Sequence, residues 1–379
     1  MNFGFDEDQK SLGETVGQVL ADFPALIAPD PEQARDEAAW SALAELGLFA
    51  LTVPERFDGV GLTPVDVALA VEAMGRGLAP LSAASALIVT DLLVRHGTDR
   101  QQRELLPRIA TGEAKVAIAV LEHDAGYDAA ALATRVDRGQ LSGGKILVAD
   151  AADAEVILVV AIDAGEPRLV LVKRSADGVV VARHTDIDPS AGMCAVTFDD
   201  VALGPDAVLG ASAPQRAVER LVDVAATVHA GLLIGIAGRM MDTAVEYART
   251  REQFGQAIGA FQAIKHRCAD MAVAVEAGRS AAYYAFWAVS EDAADRARAA
   301  SMAKAYCSEI ARDVCNEAIQ VHGGMGFTWE LGLHRFLRRA KLIEHLHGDS
   351  AWHNERILTE TLAAMRAGTT ADERPRDAA

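Results

Sequence analysis

The 379 residues read as a mostly α-helical protein interrupted by one central β domain, and three features lead there. Apolar residues recur three and four positions apart from Phe5 to about Glu113. Around Val116 they give way to short valine- and isoleucine-rich runs separated by Gly, Asp and Pro. From Val208 onward the helical spacing returns. The predicted organisation is an N-terminal helical domain over 1–115, a middle β domain over 116–207 and a C-terminal helical bundle over 208–366. A polar tail over 367–379 shows no periodicity and is expected to be disordered.

In the first segment, Val16, Val19, Leu20 and Phe23 mark one helical face, and Pro54 with the Asp58–Leu62 DGVGL run divides the segment into separate helices. In the middle segment the runs VAIAVL, ILVADA, AEVILVVAI and RLVLVKR carry the β-branched content of strands. In the last, Leu221–Met241 and Met271–Val289 have the spacing of long packed helices, with small residues in AGLLIGIAG allowing close approach. The Tyr283, Tyr284, Phe286 and Trp287 stripe fits bundle core or subunit interface better than a ligand wall.

Composition excludes several function classes. A net charge of -18 repels nucleic acid and anionic membrane surfaces, so an anionic ligand needs local basic residues. No apolar run is read as reaching the ~18 residues of a membrane helix, and the acidic N-terminus MNFGFDEDQK is unlike a basic signal peptide, so the expected location is cytoplasmic. Cys194, Cys268, Cys307 and Cys315 have no C-x-x-C spacing and are read as reduced packing residues. The ten histidines form no H-E-x-x-H or comparable set, and no metal is expected.

Two stretches carry chemistry. In YARTREQFGQAIGAFQ, Arg251, Phe254 and Gly255 close one helix and Phe261 and Gln262 open the next, so a guanidinium, a ring and an amide surround one corner suited to an anion. In QVHGGMGF, Gln320 precedes Gly323, Gly324 and Gly326, although each interior glycine costs a helix about 1 kcal/mol relative to alanine. The glycines are read either as a helix C-cap or as backbone that approaches a ligand closely.

Together these stretches resemble the C-terminal domain of the acyl-CoA dehydrogenase family, flavoproteins that desaturate acyl-CoA thioesters. The stretch WSALAELGLFALTVPERFDGVGL resembles the family's N-terminal domain, and the helical, β, helical order matches its architecture. The resemblance implies a β-barrel-like middle domain, a C-terminal four-helix bundle, and FAD shared across a subunit interface. It assigns cofactor binding to Arg251, Phe254, Gln262, Gln320, Gly323 and Gly324. A planar, permanently charged guanidinium suits a diphosphate better than a lysine would. The implied partners are an acyl-CoA substrate and an electron-transfer flavoprotein. The implied assembly is a homodimer or tetramer, or a heterotetramer with a second dehydrogenase-like chain.

The sequence departs from the family in two places. Many members carry T-E-P-x-A-G-S-D and later W-I-T/S around the flavin ring. Here Leu121–Asp128 reads LEHDAGYD and Lys145–Asp150 reads KILVAD, so the threonine and tryptophan are absent. The second departure concerns the base that removes the substrate's α proton. The family's usual glutamate position, counted from Ala340-Lys341 and Gly348, holds His347, and the alternative position on the helix before R-x-x-F-G falls near Ala225. Three readings follow. A displaced group in this chain, His347, Asp349, Glu344 or Asp223, acts as base. Alternatively the chain is one subunit of a mixed α2β2-type dehydrogenase whose partner supplies the base. In the third reading it is an inactive scaffold or interaction subunit.

Overall fold

The computed structural model describes residues 4–27, 37–128 and 131–372. The N-terminal domain comprises α1 (Glu7–Ala21), α2 (Glu37–Glu45), α3 (Ala68–Arg76), α4 (Leu81–His96) and α5 (Asp99–Ala110). Capping boxes open two of these helices: Asp6 with Gln9 starts α1, and Thr98 with Gln101 starts α5. The expected break near Pro54 is a 3-10 turn followed by a loop in which Asp58 and Gly61 take positive φ. Nearly all of α4 is buried, because it packs against the long helix at 214–250, strand β1 at 116–119 and α5.

The middle domain holds β1 (Val116–Ala119), β2 (Arg135–Asp137), β3 (Gln140–Val148), β4 (Val156–Asp163), β5 (Glu166–Lys173), β6 (Val179–Arg183), β7 (Cys194–Ala202) and β8 (Val208–Leu209). They form one eight-stranded sheet in the order β6-β7-β3-β2-β4-β5-β8, with β1 parallel to β4 off that path. Strand β4 shows how the sheet is placed. Val156, Leu158 and Val160 join the main core with the helices, while Ile157, Val159 and Ala161 join a second core on the other face. A run buried on both faces in this way reads as continuous apolar sequence. Inside this domain Glu122 accepts from Lys145 at 2.8 Å and from the backbone N–H groups of Ala133 and Thr134, so a buried charge pair replaces what a small domain would otherwise fill with aliphatics.

The C-terminal bundle is built from α6 (Pro214–Thr250), α7 (Gln262–Ser290), α8 (Arg296–His322) and α10 (Ser350–Asp372), with the shorter α9 (Leu333–His345) beside them. Helix α6 spans 37 residues, about 55 Å, and lies at the centre. It does contain an 18-residue window apolar and long enough to cross a membrane, contrary to the expectation from sequence. Within the fold 94% of that window is buried, which is the reason for its composition. Glycine sets the α3–α6 crossing: a Cβ at Gly235 would overlap the Glu72 carbonyl oxygen, and one at Gly75 would overlap that of Leu232.

Helix α10 continues through Asp372, past the expected start of the tail at 367, since no proline interrupts it there. The rest of the expected tail lies outside the described residues. Of the aromatic stripe, Phe286 is core, Tyr283 donates to Glu72 and meets Phe5 edge-on, and Tyr284 stacks on Trp287 while staying partly exposed. All four cysteines are free thiols, three of them buried.

Candidate functional site

Helix α6 ends at Thr250, and Arg251 leaves it in an extended conformation. A two-residue hairpin follows, pairing β9 (Glu252–Gln253) with β10 (Gln256–Ala257). Its corner residues, Phe254 and Gly255, have φ of +53° and +80°, the pattern of a tight primed turn. That turn throws Phe254 into solvent, 92% exposed, with its ring edge-on to Phe261 at 6.1 Å. Phe261 is the N-cap of α7 and Gln262 its first, exposed residue. The Arg251 guanidinium has no partner among the described residues, and no acidic group neutralises it.

The second stretch lies at the same end of the bundle. Tyr247, one turn before Arg251, stacks on His322 with ring centroids 4.3 Å apart, which joins the end of α6 to the end of α8. The three glycines that follow have different jobs. Gly323 takes φ of +59° and caps α8. Gly326 is buried where a Cβ would press on the Ile319 carbonyl. Gly324 has neither a positive φ nor any atom within 4 Å of its missing Cβ, so nothing inside the chain requires glycine there. A free guanidinium, the exposed amides of Gln262 and Gln320 and an open glycine backbone fit the diphosphate of a dinucleotide cofactor. All six predicted cofactor residues thus fall on one open end of the bundle.

The two departures in the β domain are neighbours. The Ile146 N–H donates to Leu121 O, and Leu147 takes φ of +52° at a register shift between β3 and β7. Tyr127, at the position of the family serine, donates to His345 O at 2.8 Å and ties this loop to α9.

The predicted base candidates are brought near one turn but are differently engaged. Asp223 is fully buried, accepting at 2.6 Å from Arg296 and at 2.6 Å from Arg356. Glu344 accepts from Lys341 at 2.7 Å and Arg312 at 3.4 Å. Asp349 caps α10 by accepting from Trp352 N–H at 2.9 Å. His347 has φ of +58°, and although the residue keeps some exposed surface, both ring nitrogens are closed from solvent and without partner. Its ring lies 5.0 Å from that of His229 on α6, and its carbonyl meets His353 Nε2 at 3.2 Å. Burial, with Lys304 nearby, pushes its pKa down to about 4, so it is neutral at pH 7.

Three members of this cluster were not foreseen: Lys304, His229 and His353. Lys304 is fully buried and donates to Glu344 O at 3.0 Å and Gly348 O at 2.9 Å, the carbonyls on either side of His347. Burial lowers its pKa to about 7. His229 is buried and held well below the ordinary histidine range. Only a lone lysine inside the apolar pattern of ASMAKAYC, and a histidine inside AATVHAGLL, hinted at Lys304 and His229.

Comparison with known proteins completes the site. Residues 6–113 match the profile of the acyl-CoA dehydrogenase N-terminal domain, and residues 215–362 that of the C-terminal domain. The chain is 30% identical to the probable acyl-CoA dehydrogenase YngJ of Bacillus subtilis, over 92% of this chain and 97% of that one. It is 35% identical to the acyl-CoA dehydrogenase FadE34 of Mycobacterium tuberculosis over 86% of this chain but only 42% of that relative. Among solved structures, the G363A variant of the Tcur3481–Tcur3483 steroid ACAD superposes with a TM-score of 0.83 at 28% identity, over 95% of this chain and 99% of that one. The helical, β, helical order and full-length similarity converge: this chain belongs to the acyl-CoA dehydrogenase family of FAD-dependent oxidoreductases.

Proposed function

We propose that the chain takes part in FAD-dependent α,β-dehydrogenation of an acyl-CoA thioester as one subunit of a mixed assembly, with the base supplied by its partner chain. The substrate belongs with fatty-acid or sterol side-chain degradation. The observation that carries this reading is the state of the turn at His347. Asp223 is bound by two arginines, Glu344 by a lysine and an arginine, and Asp349 by a helix end. His347 keeps its nitrogens inside the protein. Asp223 and Glu344 thus have both carboxylate oxygens bonded, His347 is closed from solvent, and Asp349 has one oxygen committed to the start of α10, so no candidate is placed as an unengaged, open base.

When bound, FAD supplies the acceptor for the hydride that leaves the β carbon. Arg251 and the backbone around Gly323 and Gly324 would hold its diphosphate, with the amides of Gln262 and Gln320 beside it. The partner chain would supply the base for the α proton, and an electron-transfer flavoprotein would be the electron acceptor. A partner is further supported by FadE34, of which a chain of this size matches less than half, and by the two-component name of the Tcur3481–Tcur3483 enzyme.

A self-sufficient enzyme with His347 as base is the second reading, favoured because His347 alone of the four has no bond to a neighbour through its side-chain polar atoms. The test is anaerobic reduction of the flavin by acyl-CoA, with the chain alone and co-expressed with a second dehydrogenase-like chain. Bleaching only in the mixture is expected. Bleaching by the chain alone selects His347, and a colourless protein that takes up no FAD in either arm overturns both.

A further inference from the structure

A group of buried titratable side chains surrounds the Leu346–Gly348 turn. Three imidazoles from three elements meet there: His229 from α6, His347 from the turn and His353 from α10, with Lys304 of α8 between them. His229 Nδ1, His353 Nδ1 and both nitrogens of His347 are sealed and unpaired. Buried polar atoms are nearly always bonded, so four orphans in one place call for an explanation. A metal is not it, because among the described residues no three ligand-type side chains converge as a metal site requires.

The turn itself is held from below and from the side. Lys304 grips the carbonyls of Glu344 and Gly348, and His353 grips that of His347. The backbone it holds is unfavourable: His347 at φ of +58° is followed by Gly348 at +107°, where a Cβ would strike Trp352 and His353. Two residues before His347, the His345 carbonyl receives the Tyr127 hydroxyl, one of the bonds between α9 and the β domain beside those of Arg339 to Asp188 and Ser190, with Trp352 against the Tyr127 ring at 6.1 Å.

We propose that this cluster is an acid-operated latch: charging its imidazoles releases the Leu346–Gly348 turn and, through Tyr127, the seam between bundle and β domain. The groups facing it decide the sign. His229 faces His347, Lys304 and His353, and His353 faces Lys304 and Arg356. The nearby carboxylates, Glu344 and Asp349, bear on Lys304, and Asp223 on α6 is already matched to Arg296 and Arg356. Among the described residues no carboxylate bonds any of the three imidazoles. A first proton therefore adds a second positive charge beside Lys304, strains the turn, and opens the remaining imidazoles to water. They charge together, not singly. The latch stands on this chain's own residues and works whether or not FAD is bound.

Histidine-selective ¹³C NMR of the purified full chain, titrated from pH 8 to 4, tests it. N-acetylhistidine amide added to the same buffer serves as the reference. The expected result is that His229, His347 and His353 stay neutral where that reference is half-charged. They then titrate in one reversible step with a Hill coefficient above 1, and the near-UV signal of Tyr127 and Trp352 changes in the same step while far-UV ellipticity holds. Independent titration near the ordinary histidine value overturns the proposal, as does a step that coincides with loss of helix. His229→Gln should move the step by at least half a pH unit, and an unmoved midpoint counts against it. Should that variant not fold, Tyr127→Phe decides. It should leave the imidazole step but abolish the coincident near-UV change, and an unaltered change breaks the link to the seam.

Discussion

Arg251→Ala separates cofactor binding from folding more cleanly than any other substitution here. The guanidinium is exposed and has no partner among the described residues, so its loss removes nothing that holds the chain together. Only the contact with an incoming diphosphate disappears. Charge-assisted hydrogen bonds contribute about 1.5–3 kcal/mol each, and 1.4 kcal/mol is a factor of ten in affinity. The dissociation constant for FAD should therefore rise about ten- to a hundredfold, while the melting temperature of the flavin-free protein stays within about a degree. Arg251→Lys should recover only part, because an ammonium cannot make the two parallel bonds of the planar fork. Fluorescence titration of FAD and differential scanning fluorimetry on the three proteins, in the assembly that retains flavin, measure both quantities. Unchanged affinity in the alanine variant would refute the assignment, and a large drop in melting temperature would show that Arg251 has a structural task.

Three further outcomes follow from buried groups. Glu122→Gln leaves Lys145 fully buried without its counter-charge, and chemical denaturation should show a loss of about 3–5 kcal/mol; a change under 1 kcal/mol would mean that water reaches the pair. Gly235→Ala forces α6 away from α3 and should cost about 1–3 kcal/mol by the same measurement. Lys304 has a folded pKa of about 7 against an ordinary 10.5, so the unfolded chain binds more protons across that window and stability should rise with pH through it, by about 1.4 kcal/mol per unit. Lys304→Met should flatten that rise, and an identical pH profile would show that Lys304 is not the group responsible.

The fold was legible wherever one element's own periodicity decided it. Strand β4 declared itself through a run buried on both faces, and α6 through spacing kept over many turns. The stretches around Arg251 and Gly323 could be singled out because each is contiguous and its glycines interrupt helices, and the fold brings them to one end of the bundle. The cluster at the turn could not. Its members lie on α6, α8, the turn and α10, and His229 and His347 are more than a hundred residues apart, so no local pattern joins them. For the same reason Asp223 could be read as a free carboxylate, since Arg296 and Arg356 lie 73 and 133 residues away. The window in α6 that meets the membrane criterion shows the converse failure. Composition reports that a helix is surrounded by apolar groups but not whether lipid or protein supplies them.

The cofactor end and the turn at His347 follow opposite rules, and the contrast indicates what the chain lacks. Around the turn, charge is taken inside and consumed: carboxylates meet arginines and a lysine meets carbonyls. At the Arg251 end less is consumed. Phe254 is 92% exposed and Phe327 77%, and Trp329, 53% exposed, has Arg338 over its ring. Solvent-facing aromatics of this kind are what an interface presents before its other half arrives, because a water-facing ring gains nothing until another surface covers it. If FAD and a second chain cover this end, hydrogen exchange at the amides of Phe254–Phe261 and Gly323–Leu331 should slow together on assembly. Protection of only one of the two segments would separate the cofactor contact from the subunit contact and show that they are not one surface.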